Sequence, residues 1–161
     1  MHNKLVIFDL DGVLIESREL HYDALNAALE KVGKEYIINR EEHLSIYDGL
    51  NTTRKLELLT KNKGLPTQYY DQIWKGKQVA TFDLIKKIPR NEEFVQMFKT
   101  IREKGWKIAV ASNSIRETVK LALMSVGVLE YVDYYVSNED VKRTKPFPEM
   151  YWQCMTAMHS I

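Results

Sequence analysis

Hydrophobic positions along the 161-residue chain follow two different rhythms. Lys4 to Phe8 is a short β-branched and aromatic run that stops abruptly at Asp9-Leu10-Asp11-Gly12. A short continuous apolar run of this kind fits a strand buried on both faces, as in a parallel α/β sheet. From Glu16 to about Ile88 the rhythm is helical. Leu20, Ala24, Leu25, Ala28, Leu29 and Val32 recur at helical spacing, and Gly33 supplies a stop. Asn51 is the expected cap of a second helix that buries Leu56 and Leu59 and ends at Gly64. Pro66 closes that break, and a further helical stretch runs through Ile73, Trp74 and Val79 towards Ile85.

After Pro89 the elements shorten and alternate. Asn91 can cap a helix that buries Phe94, Val95, Phe98 and Ile101 and stops at Gly105. Trp106 to Ala111 reads as a second buried strand ending in Ser112-Asn113. Ser114 and Glu117 stand at capping-box spacing ahead of Val119, Ala122, Leu123 and Val126, with Gly127 as the stop. Val132 to Val136 reads as a third strand. Lys145-Pro146 lies in the loop that follows, and Pro148 can occupy the first turn of a final helix. Strand, helical block, helix, strand, helix, strand, helix is the order of a parallel α/β sheet.

Composition narrows the function classes. No apolar run approaches the roughly 18 residues that span a bilayer, and Leu5 to Phe8 is too short for the apolar region of a signal peptide. One cysteine, Cys154, excludes an internal disulfide framework and suits a reducing, cytoplasmic setting. The net charge of +1 argues against a nucleic-acid partner. Residues 16–88 carry 12 Lys and Arg against 11 Asp and Glu, so the helical block is no charged binding face.

Ligands of such sheets bind beyond the carboxyl ends of the strands. Three polar clusters fall there: Asp9 with Asp11, Ser112 with Asn113, and Lys145. Two carboxylates can supply a nucleophile and an acid/base and help to hold a hard cation. A hydroxyl ahead of a helix N-terminus suits an anion, and lysine adds a point charge for phosphate oxygens. Pro146 biases Lys145 towards an extended backbone, which holds the lysine in place. Together these groups describe a phosphoryl-transfer site.

The same residues resemble the haloacid dehalogenase superfamily. Phe8-Asp9-Leu10-Asp11-Gly12-Val13-Leu14 is similar to its first motif, Ser112-Asn113-Ser114 to its second, and Lys145-Pro146-Phe147-Pro148-Glu149-Met150-Tyr151 to its third. The resemblance is strongest to the subgroup of β-phosphoglucomutase and phosphoglycolate-phosphatase-like enzymes. It implies a Rossmann-like α/β core from residues 1–15 and 89–161, with a helical cap inserted at 16–88. It further implies that Asp9 attacks phosphorus and contacts Mg²⁺. Asp11 would act as acid and base and ligate the metal. Ser112 and Lys145 would hold the phosphoryl group, with Asn113 close by. Asp at position 11 favours phosphate chemistry over dehalogenation. The activity implied is a Mg²⁺-dependent phosphatase acting on a small phosphorylated metabolite, such as a sugar phosphate.

One family motif is missing. A last acidic cluster belongs at the end of a fourth strand, yet only 16 residues follow Lys145, and Met155 to Ile161 contains no Asp or Glu. Glu139-Asp140 is no substitute, since it corresponds to an acidic pair that the family carries after strand three. The resemblance thus covers about three core strands, the amino-terminal portion of a longer fold. The missing acids argue against full activity. Without a fourth strand, Leu5 to Phe8 would be an apolar edge, so the isolated chain is expected to pair it with another molecule or to be poorly stable.

Two alternatives accompany the phosphatase reading: a sugar-phosphate mutase, and a non-catalytic remnant that binds phosphate or a protein. His21, Thr52 and Arg54 are the candidate substrate contacts of the cap. β-Phosphoglucomutase-like sequences tend to carry arginine where this chain has Thr52, which weakens the mutase reading. Cys154 reads as a small core residue rather than a nucleophile.

Overall fold

The computed structural model describes residues 3–160. Three strands, β1 (Leu5–Phe8), β2 (Lys107–Ala111) and β3 (Tyr134–Val136), form one parallel sheet in the order β1-β2-β3. Leu5 lies beside Lys107 and Phe8 beside Val110, while Ala109 pairs with Tyr134 and Ala111 with Val136. The α-helices are α1 (Ser17–Val32), α2 (Arg40–Glu42), α3 (Thr52–Lys63), α4 (Tyr70–Lys86), α5 (Glu92–Glu103), α6 (Arg116–Val126) and α7 (Glu149–Ala157). This is the α/β architecture and element order that the apolar rhythm predicts. Among the described residues, no helix is long and apolar enough to cross a membrane.

The chain forms two compact units, one running up to Arg18 and resuming at Ile85, the other Glu19–Leu84. In the first, alternate strand residues address opposite faces. Leu5 and Ile7 pack with Ala109, Ala111 and Val136 against Met150 and Cys154 of α7. Phe8, on the other face, stacks on buried Phe98 of α5 with ring centroids 4.7 Å apart. β2 is the central strand, and Ile108 to Ala111 are fully buried. The apolar run alone suggested burial on both faces, but among the described residues β1 pairs with β2 alone, the edge place expected without a fourth strand, and its four residues are only half-buried.

The second unit is helical. Leu25, Ala28 and Leu29 of α1 pack with Leu56 and Leu59 of α3, Ile73 of α4, and Ile38, Tyr47 and Leu65 from the connections. The expected limits of α3 hold. Asn51 accepts from the Arg54 N–H at 2.8 Å, and Gly64 ends the helix in the left-handed region. Between α1 and α3 the chain makes a 3₁₀ turn at Lys34–Tyr36, the short α2 and a π-turn at His43–Tyr47. Asn26 stitches this stretch to α1, donating to the Ile38 carbonyl at 2.8 Å and accepting from its N–H at 2.9 Å.

α6 departs from the capping-box expectation. Its N-cap is Ile115, without a side-chain cap, and the Arg116 N–H instead donates to Glu139 at 3.0 Å. The third strand starts later than expected, at Tyr134, since the chain before it turns through Leu129–Tyr131. Asp133 then anchors the sheet by accepting from the Ile108 N–H at 2.9 Å and pairing with Arg102. Burial alone would raise its pKa, but the Ile108 N–H and the Arg102 guanidinium outweigh that and hold the carboxyl below its ordinary range. Asp133→Ala is expected to cost about 2 kcal/mol in urea unfolding, because it strands a buried donor. A carboxyl whose folded pKa is depressed stabilises the fold above its unfolded value and loses that contribution as pH falls through the folded one. The wild-type advantage over Asp133→Ala should therefore shrink in acid.

Candidate active site

The sheet's carboxyl edge gathers the three polar clusters. β1 ends at Phe8 and hands the chain to Asp9, whose Oδ1 accepts from the Leu10 N–H at 2.8 Å. Buried Leu10 anchors the loop that follows: its carbonyl accepts from Leu14 N–H at 2.9 Å, and Gly12 N–H donates to the Ile15 carbonyl at 2.8 Å. Gly12 has φ +74°, a conformation that glycine adopts without penalty. This tight turn returns the chain past Asp11, which bridges to Ile15.

Lys145 closes the site from the far end of the sequence. Its Nζ donates to Asp9 Oδ1 at 2.8 Å and to the Ala111 carbonyl at 2.8 Å. The ammonium is thereby fixed between the ends of β1 and β2. Asn113 clamps the lysine backbone: its Oδ1 accepts from the Lys145 N–H at 3.0 Å and its Nδ2 donates to the Lys145 carbonyl at 3.1 Å. With both ends of its amide occupied, Asn113 positions Lys145. The Lys145–Pro146 peptide is cis.

Ser112 is fully buried, and its Oγ lies 3.4 Å from Asp11 Oδ2 while accepting from the Ser114 N–H at 3.1 Å. Ser114 Oγ also lies 3.4 Å from Asp11 Oδ2. Ser114, which the sequence places in the second motif and as a helix cap but to which no site role was given, joins the site here. Its place in the Ser112-Asn113-Ser114 triplet was the available signal. Asp9 remains accessible, with 44% of its side chain exposed against 17% for Lys145. The arrangement is an accessible carboxylate beside a fixed cation, with a second carboxylate bordered by two hydroxyls.

Asp9 and Asp11 offer hard oxygens, and Mg²⁺ is commonly held by one or two carboxylates completed by water and substrate phosphate. The pair fits that mode. Among the described residues, no group of three His, Cys, Asp or Glu forms a fuller cage. Asp140 accepts from the Ser137 N–H and hydroxyl, both at 2.8 Å, and pairs with Arg116. With Glu139 at the start of α6, both acids of that pair serve the loop and helix. Cys154 is buried, and burial pushes its thiol up to about 11, which leaves no thiolate nucleophile near neutral pH.

The remaining candidates belong to the helical unit. His21 is half-buried in α1. Arg54 is exposed on α3 and pairs with Glu57 at 3.2 Å. Thr52 is buried and accepts from Lys77 Nζ at 2.6 Å. Burial, and then the charge of Lys55, lower the Lys77 pKa to about 8. Lys55 is itself buried, which lowers its own pKa against the opposing pull of Asp48. Sequence reading passed over this cationic pair because lysine on a helix is ordinarily solvated.

Comparisons with known proteins agree with this geometry. A family model described as haloacid dehalogenase-like hydrolase matches residues 6–160. A phosphorylated carbohydrates phosphatase from Thermotoga maritima is 28% identical, over 91% of this chain and 66% of its own length. Pyrophosphatase PpaX from Halalkalibacterium halodurans is 26% identical, over 98% of this chain and 70% of its own. The crystal structure of a candidate β-phosphoglucomutase from Thermotoga maritima superposes with a TM-score of 0.81 at 22% identity. It covers 98% of this chain and 72% of that one.

Proposed function

Because the chain belongs to the haloacid dehalogenase-like hydrolase family, we propose that it hydrolyses a small phosphorylated metabolite, such as a sugar phosphate, through Asp9. The observation that carries this reading is the 2.8 Å contact between Lys145 Nζ and Asp9 Oδ1, made across the ends of two strands. A fixed ammonium beside an accessible carboxylate offsets the repulsion between that carboxylate and an incoming phosphate.

The resemblance to the family implies the chemistry. An Asp9 oxygen forms a bond to phosphorus as the bond to the leaving oxygen breaks, giving an aspartyl-phosphate. Asp11 gives its proton to the leaving oxygen. It then takes a proton from the water that attacks phosphorus and releases Asp9. Lys145 and the Ser112 hydroxyl hold the equatorial oxygens. Asn113 keeps Lys145 in register, since phosphoryl transfer depends mostly on positioning and charge neutralisation. A magnesium ion, held by Asp9 and Asp11, would add neutralising charge on the phosphate oxygens. The helical unit would serve as the substrate-selecting cap. Transfer within a sugar phosphate is the alternative reading; it needs the same core groups, and Thr52 in place of arginine disfavours it.

The chain is expected to release p-nitrophenol from p-nitrophenyl phosphate in the presence of Mg²⁺ and to stop when EDTA is added. Calorimetric titration with Mg²⁺ and vanadate should show binding. Vanadate binding without turnover would replace the enzyme reading with a non-catalytic phosphate-binding one. Neither turnover nor binding would sink both.

A further inference from the structure

We propose that Ser114 is a positioning residue that holds the Asp11 side chain in place while it carries a proton, an inference that rests on the phosphatase reading above. Ser114 Oγ and Ser112 Oγ each donate to Asp11 Oδ2 at 3.4 Å. Hydrogen bonds of this length are common in unliganded catalytic sites and tighten when substrate is bound. Asp11 has need of such a hold. The Gly12 turn and the bridge to Ile15 set its backbone, while the carboxyl still turns about two side-chain torsions. A serine hydroxyl donates to a carboxylate and accepts from a carboxylic acid. It can therefore hold Asp11 both before and after the proton leaves, which lysine or arginine, having donors only, would not do.

Two hydroxyls share the carboxylate, and their tasks divide when phosphate arrives. Ser112 is among the groups that hold the phosphoryl oxygens in the proposed reaction, so its hydroxyl turns to them and Ser114 stays on Asp11. The Ser114 backbone is held on both sides: its N–H donates to Ser112 Oγ at 3.1 Å and its carbonyl accepts from the Asn138 N–H at 3.0 Å. Its hydroxyl is thus carried on a fixed, half-buried stem. The residue also gives up a local bond to serve there. Ser114 stands beside the start of α6, yet Ile115 is the N-cap and Glu139 takes the Arg116 N–H at 3.0 Å. An acid from another loop relieves the serine of capping, and its hydroxyl turns to a carboxylate 103 residues away in sequence. The site, rather than the helix, explains where that hydroxyl lies.

The test compares kcat/KM on two esters of similar shape, p-nitrophenyl phosphate and phenyl phosphate. That ratio covers the transfer to Asp9, in which Asp11 acts as the acid. Phenolate is the more basic leaving group and depends more on the proton that Asp11 gives. Ser114→Ala should therefore lower kcat/KM on phenyl phosphate by on the order of 10²-fold, and on p-nitrophenyl phosphate by about tenfold. Ser114→Thr keeps the hydroxyl and should keep the wild-type preference between the esters. Ser114→Cys, with its weak donor, should show the same bias as alanine and replaces it if Ser114→Ala fails to fold. In an Asp11→Asn background, Ser114→Ala should leave the preference unaltered. Equal losses on both esters would mark a structural role and overturn the proposal, as would no loss on either; both leave the phosphatase reading standing. A wild type that hydrolyses neither ester would remove that reading and the proposal with it.

Discussion

Asp9→Asn is expected to lower hydrolysis of p-nitrophenyl phosphate by on the order of 10³-fold or more while leaving the fold and vanadate binding largely intact. Loss of a covalent nucleophile removes the pathway itself, and such losses are among the largest that single substitutions cause. Asparagine keeps the carbonyl oxygen that can accept from the Leu10 N–H and from Lys145 Nζ, the two donors at 2.8 Å from Asp9 Oδ1. The substitution therefore separates chemistry from positioning. Turnover at the wild-type rate would show that hydrolysis does not pass through Asp9. A collapse of vanadate binding alongside turnover would show instead that the carboxylate mainly holds the ligand site together.

Lys77→Met is expected to stabilise the protein by about 2 kcal/mol near pH 7. Burial and the neighbouring Lys55 bring the Lys77 pKa from 10.5 to about 8. At about 1.4 kcal/mol per unit, the folded state bears a penalty of about 3 kcal/mol for carrying that charge, of which the lost hydrogen bond to Thr52 returns about 1. For a lysine whose folded pKa is depressed, the unfolded chain binds more protons between the two values, so stability rises with pH across that window. The penalty is complete below pH 8 and fades as pH rises towards 10.5. Urea unfolding of both proteins from pH 7 to pH 10 should show the advantage of Lys77→Met shrinking. A constant difference, or a destabilised variant, would mean that Lys77 is not held in a desolvated place.

These two residues differ in how far the sequence revealed them. Asp9 ends an apolar run and stands two residues from a second carboxylate, and its proposed role could be inferred from the residues around it. Lys77 stands in an ordinary helical stretch, and only the packing around Thr52 and Lys55 distinguishes it from solvated lysines. The caps divide in the same way. Asn51 and Asn91 cap the helices that follow them because the contact is made three residues along the chain. Ser114 had the same credentials, yet its hydroxyl lies against Asp11, 103 residues away in sequence, and Glu139 from the next loop serves α6. A local cap yields when a tertiary partner offers its donor or acceptor a better-placed bond.

The sequence by itself determined what depends on neighbours: the alternation of short apolar runs with amphipathic helices, the stops at Gly64 and Gly127, and the polar residues that follow each strand. These are consequences of backbone preference and side-chain period, which act within a few residues. The tertiary structure decided what depends on distant partners. It joined Lys145 to Asp9 across 136 residues and made Asn113 the clamp of that lysine. It also fixed how far β1 is covered, leaving its four residues half-buried beside β2. The apolar content of Leu5 to Phe8 called for burial and the order of the elements for an edge; how far each residue is covered is a property of the assembled sheet, which a run of residues cannot encode alone.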